Sequence, residues 1–193
     1  MIVGLTGGIG SGKSTIGKLL FDLGVPVYNS DREAKGLMNT SKVLRRKIIQ
    51  LLGAESYTDG MLNRTFVAEK VFNDKTLLHK LNGIVHPAVR KHFLRWSKKQ
   101  NYPYVVQETA LLFENQMQDF YDKIILVTAP KDVRIERIVR RDGSSRQQVL
   151  ERMENQLDDA KKIPFADYCV ENIDLQETET KVKELNMALL AYC

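Results

Sequence analysis

The run Gly7-Gly8-Ile9-Gly10-Ser11-Gly12-Lys13-Ser14 has the residue types and spacing of a phosphate cradle, G-x-x-x-x-G-K-[ST]. A triphosphate needs many N–H donors at short range, and bulky side chains would block its approach. Glycine allows both the approach and the unusual backbone angles. Lys13 can reach the β- and γ-phosphates as a point charge, the Ser14 hydroxyl can ligate Mg²⁺, and Thr15 can add a phosphate contact. A helix that starts at the loop turns its free N–H groups and positive dipole end toward the anion. Gly8, Ile9, Gly10, Ser11, Gly12, Lys13, Ser14 and Thr15 are therefore expected around ATP, with Ser14 on the metal. A glycine-rich strand-to-helix turn without a ligand is the plain alternative. A dinucleotide fingerprint is weaker, because Lys13-Ser14 has no role in it.

Two further groups could act on what the cradle holds. Asp31 follows a candidate strand, and in open α/β sheets ligands bind beyond the carboxyl ends of the strands. A carboxylate there can orient an acceptor hydroxyl and take its proton. The same stretch, Ser30-Asp31-Arg32-Glu33, also fits an S-x-x-E capping box with Asp31 in the first helical turn, and the two readings are compatible. Arg134, Arg137 and Arg141 recur at i, i+3 and i+7 and so share a helix face. That face is either a phosphate-facing lid or a solvated stripe with Glu136 and Asp142 as partners.

The elements that must position these groups follow from periodicity. Ile2 to Thr6, Val25 to Tyr28, Tyr104 to Val106, Lys123 to Thr128 and Tyr168 to Val170 read as strands separated by helices, the pattern of a parallel sheet with helices on both faces. Ser14 to Leu23 places Ile16, Leu19, Leu20 and Leu23 on one helical face, stopped by Gly24. Residues 34–99 contain no convincing strand and read as a helical insertion, broken near Gly53, Asp59-Gly60, Asn73-Asp74 and Pro87. A charged helical pair broken at Asp142-Gly143-Ser144 reads as a mobile cover. The expected organisation is one P-loop domain with a nucleotide core at 1–33, 100–133 and 164–193, a substrate subdomain at 34–99 and a lid at 134–163.

The 193 residues, 43% of them hydrophobic, suffice for one such domain. No apolar run approaches the roughly 20 residues that span a bilayer. Met1 is followed at once by Ile2-Val3-Gly4-Leu5-Thr6, which argues against a signal peptide. Cys169 and Cys193 form neither a metal spacing nor a disulfide framework. A cytoplasmic protein is expected. The net charge of +5 is spread through helical stretches, and no nucleic-acid-binding module is recognisable. Spacing and periodicity stop at phosphoryl transfer to something small, with a nucleotide-binding switch without catalysis as the rival class.

Several segments together resemble the dephospho-CoA kinase family, a P-loop fold related to nucleoside monophosphate kinases. Gly4-Leu5-Thr6 and the double-glycine cradle match its opening. Gly60, Asn63-Arg64, Val71-Phe72-Asn73, Leu81 and Ile84-Val85-His86-Pro87 are similar to its helical substrate domain. Leu111-Leu112-Phe113-Glu114 resembles its L-L-F-E segment, Arg137, Arg141-Asp142-Gly143 and Gln156 its lid, and Ala166-Asp167-Tyr168 to Asn172 its last strand and adenine-side loop. The resemblance implies a five-stranded parallel sheet in three α/β/α layers, with ATP and Mg²⁺ phosphorylating the ribose 3′-hydroxyl of dephospho-CoA. It implies Asp31, Lys13, Arg137 and Arg141 in catalysis, and Asn172 at the adenine, where a plain loop asparagine is the alternative. It puts Thr6, Asp31, Arg64, His86, Leu112 and Glu114 beside the acceptor; His86-Pro87 also fits a helix-start turn with a buried histidine. Dephospho-CoA is the expected partner, without nucleic acid or membrane, and with at most a weak homo-oligomer. Three positions depart from the family pattern. Asn29 replaces the first acid after the second strand, Ala110 a proline and Glu108 an apolar residue; Glu108 invites a Walker B reading.

Overall fold

The computed structural model describes residues 1–72 and 74–193, so the part of the predicted break and of the matched segment that falls on Asn73 lies outside the described residues. The chain runs β1 (Ile2–Gly7), α1 (Lys13–Asp22) and β2 (Val27–Asn29), then α2 (Ser30–Thr40) and α3 (Lys42–Leu52). The short strands β3 (Tyr57–Thr58) and β4 (Met61–Leu62), α4 (Arg64–Phe72) and α5 (Lys75–Ser97) follow. It continues with β5 (Val105–Glu108), β6 (Lys123–Thr128), α6 (Lys131–Asp142), α7 (Arg146–Glu154), α8 (Asp159–Lys162), β7 (Tyr168–Glu171) and α9 (Leu175–Ala191). It divides into two compact units, Met1–Tyr28 with Gln100–Cys193, and Asn29–Lys99.

In the first unit the five-stranded parallel sheet has the order β2-β5-β1-β6-β7. Central β1 pairs with β5, Leu5 against Glu108, and with β6, Thr6 against Leu126. Alternation along the strands makes two apolar faces. Val3, Leu5, Val106, Ile125 and Val127 pack with Ile16 and Leu20 of α1 and Val182, Leu185 and Leu189 of α9. Ile124 and Leu126 pack on the other face with Leu112, Phe113 and Tyr121 from the segment after β5. Pro26 lacks an N–H, so β2 begins after it, although its carbonyl still accepts from Val106 N–H at 2.9 Å. β5 runs two residues past the predicted Val106, which brings Glu108 into the sheet beside β1.

The second unit is built on α5, whose buried Leu81, Val85, Val89 and Phe93 recur every fourth residue. Leu44, Ile48 and Leu52 of α3, Tyr57 of β3 and Val67 of α4 are buried as well. Two expectations fail here. Residues 34–99 do contain strands: Asp59 (φ 49°) and Gly60 (φ 83°) both adopt positive φ and close an antiparallel hairpin, Tyr57 opposite Leu62. Pro87 does not break the helix; α5 passes through it, and the Gly83 carbonyl loses its usual donor four residues on. His86-Pro87 is therefore mid-helix rather than a helix start. Among the described residues no helix is long and apolar enough to cross a membrane.

Candidate active site

The cradle sits at the carboxyl end of central β1. Gly10 (φ 80°) and Gly12 (φ 93°) take the left-handed backbone that L side chains avoid. Gly12 caps α1, and neither a capping side chain nor an acidic residue in the first turn neutralises that helix end. No acidic side chain in that turn offsets the helix dipole, whose positive end favours an anion. Lys13 bends back over the loop, its Nζ donating to Gly7 O at 2.8 Å. Ser14 is exposed in the first turn, with Thr15 beside it; Thr15 N–H bonds Gly12 O at 2.9 Å. The Thr6 and Ser11 hydroxyls are fully buried and have no hydrogen-bond partner among the described residues. Glu108 Oε2 lies 3.5 Å from where a Cβ on Gly17 would sit, one turn along α1 from Ser14.

The three arginines of the basic face do three different things. Arg134 Nε donates to Ile9 O at 2.9 Å, and its NH1 pairs with Asp159 at 3.0 Å. Its guanidinium also fills the space that a Cβ on Gly8 would need. Arg137 reaches Ser11 O and Ile173 O, both at 3.5 Å, and so stands at the cradle rim without a short bond. Arg141 faces away: it grips Asp142 at 2.7 and 3.1 Å, which raises its own pKa and lowers that of Asp142, and its side chain is 64% exposed. The shared face thus brings Arg134 and Arg137 to the cradle but not Arg141.

Asn172 is buried behind the loop, not presented to solvent. Its Nδ2 donates to Ser11 O at 2.9 Å and its Oδ1 accepts from Thr178 at 3.3 Å, so both ends of the amide are engaged. Leu112, expected beside the acceptor, is wholly buried in the sheet core, where its Cδ1 lies 2.7 Å from the place a Cβ on Gly4 would take. Glu114, also expected there, accepts from Leu157 N–H at 3.0 Å and pairs with fully buried Lys162 at 3.0 Å, an alignment short of a hydrogen bond. Its charge is spent inside the first unit. Sequence reasoning missed Asp159 and Lys162, which sit in the charged run Asp158-Asp159-Ala160-Lys161-Lys162 of the expected lid, and the bond from Ile9 N–H to Gln156 Oε1 at 2.7 Å.

Asp31, Arg64 and His86 belong to the second unit. Asp31 lies exposed in the first turn of α2. The cap is one residue earlier than the predicted box: Asn29 Oδ1 accepts from Arg32 N–H at 2.8 Å, and Ser30 is already helical. Arg64 opens α4 and is exposed. His86 is open to solvent at its edge, yet the water it loses lowers its pKa; the charge of Asp31 acts in the opposite sense, so the two side chains share an electrostatic neighbourhood.

The family model for dephospho-CoA kinase matches residues 1–177. The chain belongs to the dephospho-CoA kinase family. A dephospho-CoA kinase from Bacteroides fragilis is 41% identical over 171 residues, covering 88% of this chain and 83% of that protein. A crystal structure from Thermus thermophilus, 32% identical, superposes with a TM-score of 0.88 over 97% of this chain and 96% of the other. A shikimate kinase from Bacteroides thetaiotaomicron shares the fold alone, at 16% identity and TM-score 0.55 over 98% of both chains.

Proposed function

We propose that this chain transfers the γ-phosphoryl group of ATP to the ribose 3′-hydroxyl of dephospho-CoA, giving ADP and coenzyme A. One observation carries the donor half: Lys13 curls over a loop whose positive-φ glycines open into an uncapped helix end. Family membership carries the acceptor half.

In this reading the loop and α1 hold the phosphates by backbone N–H groups and Lys13 draws charge from them. Arg137, at the rim without a short partner, closes on the transferring group. Asp31 orients the acceptor hydroxyl and takes its proton as the oxygen–phosphorus bond forms and the bond to the ADP oxygen breaks. His86, held toward its neutral form, and Arg64, a cation at a helix start, bind the acceptor. The donor set fits Mg²⁺: the exposed Ser14 hydroxyl would hold it, where it would neutralise phosphate charge. Arg141, Leu112, Glu114 and Asn172 support the fold around the site rather than touching the reactants. A cytoplasmic setting accords with the two unpaired cysteines.

The test is ATP consumption measured across acceptors. Turnover is expected with dephospho-CoA and not with shikimate or nucleoside monophosphates, and Lys13→Ala is expected to lose ATP binding. Absence of turnover with dephospho-CoA overturns the reading.

A further inference from the structure

Ile9 is held from both sides by residues far along the chain. Its N–H donates to Gln156 Oε1 at 2.7 Å, and its carbonyl accepts from Arg134 Nε at 2.9 Å. These two bonds involve the two peptide planes that flank Ile9. In a planar trans peptide the C=O and the following N–H point opposite ways. Gln156 therefore draws the Ile9 N–H outward and turns the Gly8 carbonyl inward. There it accepts from Ser11 N–H at 3.1 Å, with Lys13 Nζ 3.5 Å away. Arg134 in turn holds the Ile9 carbonyl, so the Gly10 N–H of the same peptide points away from Arg134. Gly10 must be a glycine for this, since a Cβ there would stand 2.5 Å from the Arg134 carbonyl.

The clamp is itself anchored. Arg134 is pinned by Asp159 at 3.0 Å, in a pair whose side chains are only 12% and 17% exposed. The chain just before, at Leu157, is tied down by the Glu114 carboxylate. Gln156 directly precedes the Leu157 anchor.

We propose that Gln156 and Arg134 are positioning residues, which hold the Ile9 peptide so that the Gly10 N–H faces the terminal phosphates of a bound nucleoside triphosphate. Neither touches the nucleotide; they act through the backbone of the loop. The proposal rests on the reading of the cradle as a triphosphate site.

Two substitutions at one position separate orientation from bulk. Gln156→Met keeps the length and removes the acceptor, whereas Gln156→Glu keeps an acceptor. With Gln156→Met, KM for ATP is expected to rise about tenfold, the size of one lost hydrogen bond, with kcat and KM for dephospho-CoA within about twofold. Hydrogen exchange of the Ile9 amide is expected to speed up in the same variant. Gln156→Glu is expected to keep both near the parent values. Arg134→Lys, which keeps the charge beside Asp159 and loses the Nε donor, is expected to raise KM for ATP likewise. Equal losses in Gln156→Met and Gln156→Glu, or an unchanged KM for ATP in Gln156→Met, overturn the proposal. If Lys13→Ala still loses ATP binding in that case, the cradle reading stands. Undiminished ATP binding in Lys13→Ala overturns both.

Discussion

Asp31 and Asn29 divide two tasks that one stretch of sequence could have assigned to the same helix start. Asn29 supplies the oxygen that closes the amino end of α2, so Asp31 is left as a first-turn carboxylate exposed to solvent. The division makes separable predictions. Asn29→Ala should cost about 1 kcal/mol of stability, read by urea denaturation, while Asn29→Asp keeps the acceptor and the stability. Asp31→Asn should leave stability and ATP affinity near normal and lower turnover by about a hundredfold or more, as removal of a general base does. A loss of less than about threefold, roughly 0.7 kcal/mol of barrier, would leave Asp31 as a favourable helix-end charge and nothing more.

At the scale of the element, backbone conformation decides what a glycine is for. Gly36 lies inside α2 with open space where a Cβ would project, whereas Gly60 holds φ 83° in the turn between β3 and β4. The same change should act in opposite directions at these sites. Gly36→Ala should stabilise by about 0.5–1 kcal/mol, because it removes freedom from the unfolded chain without strain. Gly60→Ala should destabilise by about 1–2 kcal/mol, because an L side chain meets the carbonyl oxygen in the left-handed region. Thermal melts of the two variants check the signs. The hairpin itself was written in the chain as Asp59-Gly60, a strong turn signal, but its two-residue strands are too short to show an alternating pattern. Pro87 misled in the other direction: packing of Leu81, Val85, Val89 and Phe93 along one face carries α5 through a residue that breaks isolated helices.

Across the whole molecule, the first unit is tied together by charges that its interior cannot leave unpaired. Lys162 is fully buried against Glu114, and Arg134 against Asp159, so the segment after β5, helix α6 and the chain around α8 are joined by ion pairs with little access to water. Removal of one partner strands the other. Lys162→Met should therefore cost about 3–5 kcal/mol, and the double variant with Glu114→Leu should cost clearly less than the sum of the two single changes. Additive losses in denaturant titrations would mean that the pair does not couple these segments. The same network engages Glu114, expected beside the acceptor, inside the first unit: its carboxylate faces a buried ammonium and accepts from the Leu157 N–H.

The sequence by itself determined the features encoded within a few contiguous residues. Gly7 to Ser14 specify the cradle because glycine freedom, the lysine charge and the helix start are local properties, and the five strands of the sheet are legible because each is a short apolar, β-branched run. Tertiary structure alone decided which polar side chains face the cradle and which brace it. The bonds from Arg134 to Ile9, from Ile9 to Gln156 and from Asn172 to Ser11 span 125, 147 and 161 residues. Helical spacing puts Arg134, Arg137 and Arg141 on one face, but their partners come from the loop, from α8 and from the helix end itself. Such choices follow from burial, where an unpaired polar group costs more than an exposed one; burial exists only once distant segments have packed together.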